Sequence, residues 1–148
     1  MARKTTVDID IEFDDNGTIE YLNGVQFRMN NLLPVWELAR RELELANAAN
    51  FTASGLPSGG WERRKDEYAW PIMRRTGRLF EDLTNLSGPS NFVSPKSASF
   101  GTDVEYAKFH QSGTRKMAQR LVVFEPVGFG KQISKFAGEY IVTERTQR

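Results

Sequence analysis

The chain of 148 residues falls within the size of one domain, so two full catalytic domains are excluded and a single unit spanning 1–148 is expected. It contains no cysteine, which removes disulfides, cysteine-bound zinc, iron–sulfur clusters and thiol nucleophiles from consideration. With 39% hydrophobic and 26% charged residues and a formal charge of +1, it has the composition of an ordinary globular protein, and its bulk charge selects no partner.

No stretch approaches the ~18 apolar residues of a membrane span, and the N-terminal region lacks the continuous apolar block of a signal peptide. Synthesis in a reducing cytoplasm, without membrane contact, is the expectation. From Val7 to Phe13 the residues Val7, Ile9, Ile11 and Phe13 alternate with Asp8, Asp10 and Glu12, the period of a half-buried strand with an acidic outer face. Asp14-Asp15-Asn16-Gly17 is expected to close it as a turn. Thr18 offers an N-cap to a short helix reaching about Asn31, with Ile19, Leu22, Val25 and Met29 on one side.

A second helix is expected to start near Pro34, since proline suits the first helical turn, and Trp36, Ala39, Leu43 and Ala46 recur along its inward side. Thr52 to Gly60, with Ser54, Gly55, Pro57, Ser58, Gly59 and Gly60, reads as a flexible loop and the best candidate hinge. Its glycines lack the Gly-Lys-Ser/Thr ending and the preceding apolar strand of a phosphate loop.

Between Trp61 and Arg78, Arg63, Arg64, Lys65, Arg74, Arg75 and Arg78 crowd among Trp61, Tyr68 and Trp70. Cations beside rings are what a single-strand nucleic-acid binder uses, pairing charge with phosphate and rings with bases. Glu62, Asp66 and Glu67 dilute the charge. The simpler reading is a loop followed by a helix from about Pro71, with Ile72, Leu79 and Leu83 inward and the arginines solvated.

Asn91–Val93 and Ala98–Phe100 flank a Ser94-Pro95-Lys96-Ser97 turn and suggest two short antiparallel strands. Asp103 is expected to cap a short helix through Val104, Tyr106, Ala107 and Phe109. Beyond Gly113 comes a basic loop with Arg115, Lys116 and Arg120, then Leu121–Phe124, which reads as a buried strand ended by Pro126. Phe129, Ile133, Phe136, Ala137, Tyr140 and Ile141 form one stripe, with Lys131, Gln132, Lys135 and Glu139 opposite. They define a long C-terminal amphipathic helix, about 27 Å if it runs some eighteen residues at ~1.5 Å each. The order of elements predicts an α+β fold, a small antiparallel sheet packed against helices.

The residues offer little to a catalyst. A metal site built on imidazole wants two or three histidines, and the chain has only His110; no metal or other cofactor is expected. A hydrolase would have to use the same His110 with Ser112 or Asp103, without the Gly-x-Ser-x-Gly pattern of a nucleophile elbow. His110-Gln111 reads instead as a polar joint at a helix end, bonding to backbone groups or to a neighbouring chain.

Taken in order, Phe51, Pro57, Gly60-Trp61, Arg75-Thr76-Gly77-Arg78-Leu79, Gly101-Thr102-Asp103-Val104-Glu105-Tyr106-Ala107, His110-Gln111 and Gly113 resemble the phage virion morphogenesis family, the tail completion proteins of Mu-like and other long-tailed phages. The similarity spans roughly Phe51 to Gly113. It implies a non-enzymatic structural protein, assembled in the host cytoplasm and located in the virion. Its place would be a homo-oligomeric ring at the neck, at the head-proximal end of the tail, joining tail to head connector. Its neighbours would be the connector and the tail terminator or tube proteins, with passive contact to DNA in the channel. A tail terminator capping the tube is the alternative within that class, and a nucleic-acid-binding module over 61–78 the alternative outside it.

In an assembly protein, Gly77 and Gly101 would allow changes of direction, and Trp61 and Tyr106 would anchor either core or interface. A closed ring needs two different patches that fit each other. The acidic Asp8, Asp10 and Glu12 and the basic Arg115, Lys116 and Arg120 are the pair the sequence suggests.

Overall fold

The computed structural model describes residues 16–143 and has the α+β composition expected. Helices α1 (Asn16–Asn30) and α2 (Leu33–Thr52) lead into a 3-10 turn at Leu56–Ser58. Then follow α3 (Arg78–Thr84), the strands β1 (Phe92–Val93) and β2 (Ala98–Ser99), α4 (Ala107–Ser112) and α5 (Phe129–Val142). The expected strand at Val7–Phe13 and the Asp14-Asp15 half of its turn lie outside the described residues.

Helix α2 is the spine. Leu32 precedes it and Pro34 sits in its first turn, where a missing N–H leaves no helical bond unmade. Its inward face buries Val35, Ala39 and Phe51 together with two asparagines, Asn47 and Asn50. The Asn47 amide donates to Leu83 O of α3 at 2.8 Å, fixing the short helix against the spine. Phe51 leads into the core, where it gathers Trp61, Leu79, Leu83, Val104, Ala107 and Val122. Its ring meets Trp61 and Phe80 edge-on, with centroids 5.3 and 5.4 Å away.

The stripe read on α5 is present, with its apolar residues half-buried and Lys131, Gln132, Lys135 and Glu139 exposed. The helix runs 14 residues, four fewer than the eighteen entertained from sequence, or about 21 Å. It begins after Gly128 at φ 80 and ends at Val142. Its C-terminal end is clasped by α1: Arg28 Nε donates to Ile141 O at 2.8 Å, and Tyr140 Oη donates to Asn31 O at 2.9 Å. The hairpin pairs Phe92 with Ser99 and Val93 with Ala98, and Ser94 N closes its turn on Ser97 O at 2.8 Å, as the turn chemistry predicts.

Four local expectations are corrected. Helix α1 starts at Asn16 rather than after Thr18; first-turn N–H groups have no helical acceptor in any case, so Asn16 and Gly17 cost little there. The helix expected from Pro71 begins only at Arg78, because Met73 takes φ 64 and Gly77 φ 77, both left-handed and incompatible with a continuing helix. The helix expected after Asp103 begins at Ala107. There the Thr102 hydroxyl takes the Val104 amide at 3.2 Å, and Val104 turns into the core at 4% exposure. Leu121–Phe124, finally, belongs to no strand, for the reason that follows.

Candidate functional site

Of the motif residues, Trp61, His110 and Gln111 meet one stretch of backbone, Arg120–Val123. Gln111, on α4, turns its side-chain amide onto it: Oε1 accepts the amides of Val122 and Val123, both at 3.0 Å, and Nε2 donates to Val123 O at 2.7 Å. On the other side, Leu121 O accepts Trp61 Nε1 at 2.9 Å and Asn50 Nδ2 at 3.1 Å. Ser58 Oγ lies 3.1 Å from the same oxygen and 3.0 Å from Gly55 O, and its single proton serves one of them at a time. Arg120 N donates to His110 O at 2.8 Å. Val122 is fully buried, and side chains rather than a neighbouring strand satisfy these backbone groups.

Trp61 is therefore a core residue, 7% exposed, with its indole N–H aimed inward. It packs on Gly55, where an added Cβ would fall 2.1 Å from its ring. Far from being an open strand of loop, Thr52–Gly60 is knitted by Gly55 N to Asn50 O and Gly60 N to Gly55 O, both 2.7 Å.

Leu79 and Ala107 line the same core, Leu79 at 1% exposure. Tyr106 stands at the surface, edge-on to the His110 ring at 6.1 Å. Gly113 passes so close to Gln119 that a Cβ there would meet its backbone nitrogen at 3.0 Å. Thr76 is exposed and precedes Gly77, whose φ of 77 opens α3. Gly101 differs from the expectation: it has no positive φ and open space around its Cβ position, and its amide donates to Asn91 Oδ1 at 2.9 Å. Arg115 and Lys116 project from a tight turn bridged by Thr114 and Met117.

Arg120 does not join them at the surface. It is 9% exposed, and its Nε and Nη2 donate to Glu62 O at 3.2 and 3.0 Å. The basic loop patch is thus two residues rather than three.

The polar joint at the end of α4 divides its duties. Gln111 bonds backbone as the sequence suggested, whereas the buried His110 Nδ1 finds no partner among the described residues. Burial, and secondarily the Arg120 guanidinium, hold the imidazole below its ordinary pKa. Ser112 Oγ donates to Lys108 O at 2.8 Å, back along its own helix. Among the described residues no cluster of three His, Asp or Glu side chains is placed to hold a metal ion.

The second feature is the basic and aromatic segment 61–78, which borders an open cleft of about 620 Å³ lined in part by Arg63, Arg64, Lys65 and Tyr68. Its rings are engaged with their own chain. Tyr68 stacks on Trp70 at 4.8 Å, Arg64 lies 5.2 Å from the Tyr68 centroid and donates to Trp70 O at 2.8 Å, and Arg75 lies 5.6 Å from the Trp70 centroid. Arg74 turns inward, 3.8 Å from the Phe80 centroid. Such contacts hold guanidinium groups in place. Arg63, Lys65, Arg75 and Arg78 stay exposed, and among the described residues none of the segment's six cations is ion-paired.

Sequence reasoning missed Asn47 and Asn50. Their signal was present: both fall in helical register with Leu43, so the inward face of an otherwise amphipathic helix carries two amides. Buried amide nitrogens require acceptors, and here both donate to backbone carbonyls of distant segments, while Asn50 Oδ1 finds no partner among the described residues.

No known protein family, curated protein or solved structure matches the chain.

Proposed function

We propose that the chain is a structural virion protein of a tailed phage, part of the neck at the head-proximal end of the tail, where a ring of identical copies joins tail to head connector. The observation that supports it most directly is the exposure of large apolar residues on α1, where Ile19, Leu22, Phe27 and Met29 are exposed by 50, 56, 67 and 56%. Single exposed hydrophobics are ordinary, but four on one 15-residue helix make a surface that association would stabilise. A head-to-tail ring covers such a face with a different patch of the next copy.

The motif residues fit this role by what they do inside the subunit. Trp61, Leu79, Ala107 and Gln111 hold the Arg120–Val123 backbone and the core in one arrangement, leaving the outer surface to make contacts. The function so described is shape and charge complementarity between protein copies, without chemical turnover.

Imaging of particles from a phage lacking this protein tests the reading. Full heads beside finished but unattached tails are expected. Tails of uncontrolled length would instead assign the chain to tail termination, and normal infectious particles would sink both assignments.

A further inference from the structure

The chain's charge is strongly polarised. Between Thr5 and Phe27 there are six acids and no lysine or arginine, five of the acids lying within Asp8–Asp15, whereas 61–78 holds six cations against three acids. The net charge of +1 conceals this separation. With Arg120 buried on Glu62 O, the Arg115 and Lys116 turn retains two exposed cations, and the larger basic surface is the cleft edged by Arg63, Arg64 and Lys65.

We infer that this cleft receives the acidic Asp8–Asp15 segment of a second copy of the chain, an inference that rests on the ring reading above and names its contact. Three observations select that occupant. The cleft cations have no carboxylate partners among the described residues and are therefore open to an acidic partner there. The cleft is also lined by Asp66 and Glu67, so any acidic occupant must seat its carboxylates against Arg63, Arg64 and Lys65, as a segment whose acids Asp8, Asp10 and Glu12 alternate with Val7, Ile9, Ile11 and Phe13 can do. Tyr68 and Trp70 face each other and the Arg64 and Arg75 guanidinium groups, so the stack that bases would need is already occupied. The acidic segment runs directly into α1, so one contact would deliver both the charge and the uncovered apolar helix to the neighbouring copy. Opposite charges on two different patches of one subunit permit the heterologous contact that a ring requires.

The experiment reverses each side separately in the full chain: Asp8→Lys with Asp10→Lys, and Arg63→Glu with Lys65→Glu. Arg63 and Lys65 are exposed, and Arg64 is left intact because it holds Trp70 O. Circular dichroism establishes that both variants keep the native helix content, and sedimentation velocity reads association. Each variant alone is expected to need a concentration about tenfold higher for assembly, the native chain's assembly weakening with salt. An equimolar mixture of the two regains assembly, because each supplies the patch the other reverses. Misfolding of either variant is met by neutral versions, Asp8→Asn with Asp10→Asn and Arg63→Gln with Lys65→Gln, which lose assembly in the same sense.

Assembly unchanged in both reversed variants would overturn the docking while leaving the ring reading standing. A mixture that fails to recover would place the contact within one chain and overturn it too. So would loss of binding to a 20-base-pair duplex on cleft reversal with self-association intact, which would give the surface to nucleic acid. A native chain monomeric at all concentrations would overturn both the docking and the ring.

Discussion

The side chain of Gln111 pairs with Val123 as a strand would, accepting its amide at 3.0 Å and donating to its carbonyl at 2.7 Å. One glutamine thereby supplies both halves of a ladder rung, and its Oε1 also takes the Val122 amide. The segment needs no neighbouring strand while Gln111 is in place.

Replacing Gln111 with alanine should therefore cost more than a surface change on α4. Two amides and one carbonyl lose their partner together, and leaving buried groups unsatisfied costs about 1–3 kcal/mol each before water relieves the exposed ones. A fall in the urea midpoint equivalent to about 2 kcal/mol or more is expected, whereas Lys108→Ala, on the exposed side of the same helix, should stay within about 0.5 kcal/mol.

Trp61 separates packing from hydrogen bonding. Trp61→Phe keeps an aromatic ring beside Phe51 but loses the indole N–H and part of the ring volume, while Asn50 continues to serve Leu121 O; a loss of about 1–2 kcal/mol is expected. Trp61→Ala opens the core and should cost about 3–5 kcal/mol in the same denaturation experiment. Equal effects of the two changes would mean that the hydrogen bond, rather than the ring, fixes this part of the core.

Gly55 and Gly101 should respond oppositely to alanine. At Gly55 the added Cβ would lie 2.1 Å from the Trp61 ring on a backbone at φ 81, so the ring or the turn must move. A loss of at least about 2 kcal/mol is expected. At Gly101 nothing lies within 4 Å of the same atom, and the thermal midpoint should barely change.

The pH dependence of stability should carry a contribution from His110. Its folded-state pKa is lowered by burial and by Arg120, so below about 6.5 the unfolded chain binds the proton more readily than the folded one. The contribution is fully present above that pH and is lost as pH falls towards the folded value. Urea midpoints at pH 7.5 and 5.5 should therefore differ more in the native chain than in His110→Gln, and an identical pH response in the two would show that the imidazole does not take part.

How much of this was legible beforehand varies with the range of the forces involved. Helix α2, the hairpin and α5 were legible in the residues themselves, because proline placement, turn residues and a 3.6-residue apolar period act within a few positions. That Trp61 and Gln111 both bond the backbone of Leu121–Val123 carried no local mark. Only the tertiary structure decided that Leu121–Phe124 is held by side chains from α2, α4 and the Trp61 loop, that the Pro71 segment yields to left-handed Met73 and Gly77, and that Arg120 turns inward to Glu62. The first and last of those outcomes depend on hydrogen-bond partners 11 to 71 residues away, and an apolar run or an arginine carries no local mark of which distant group it will meet.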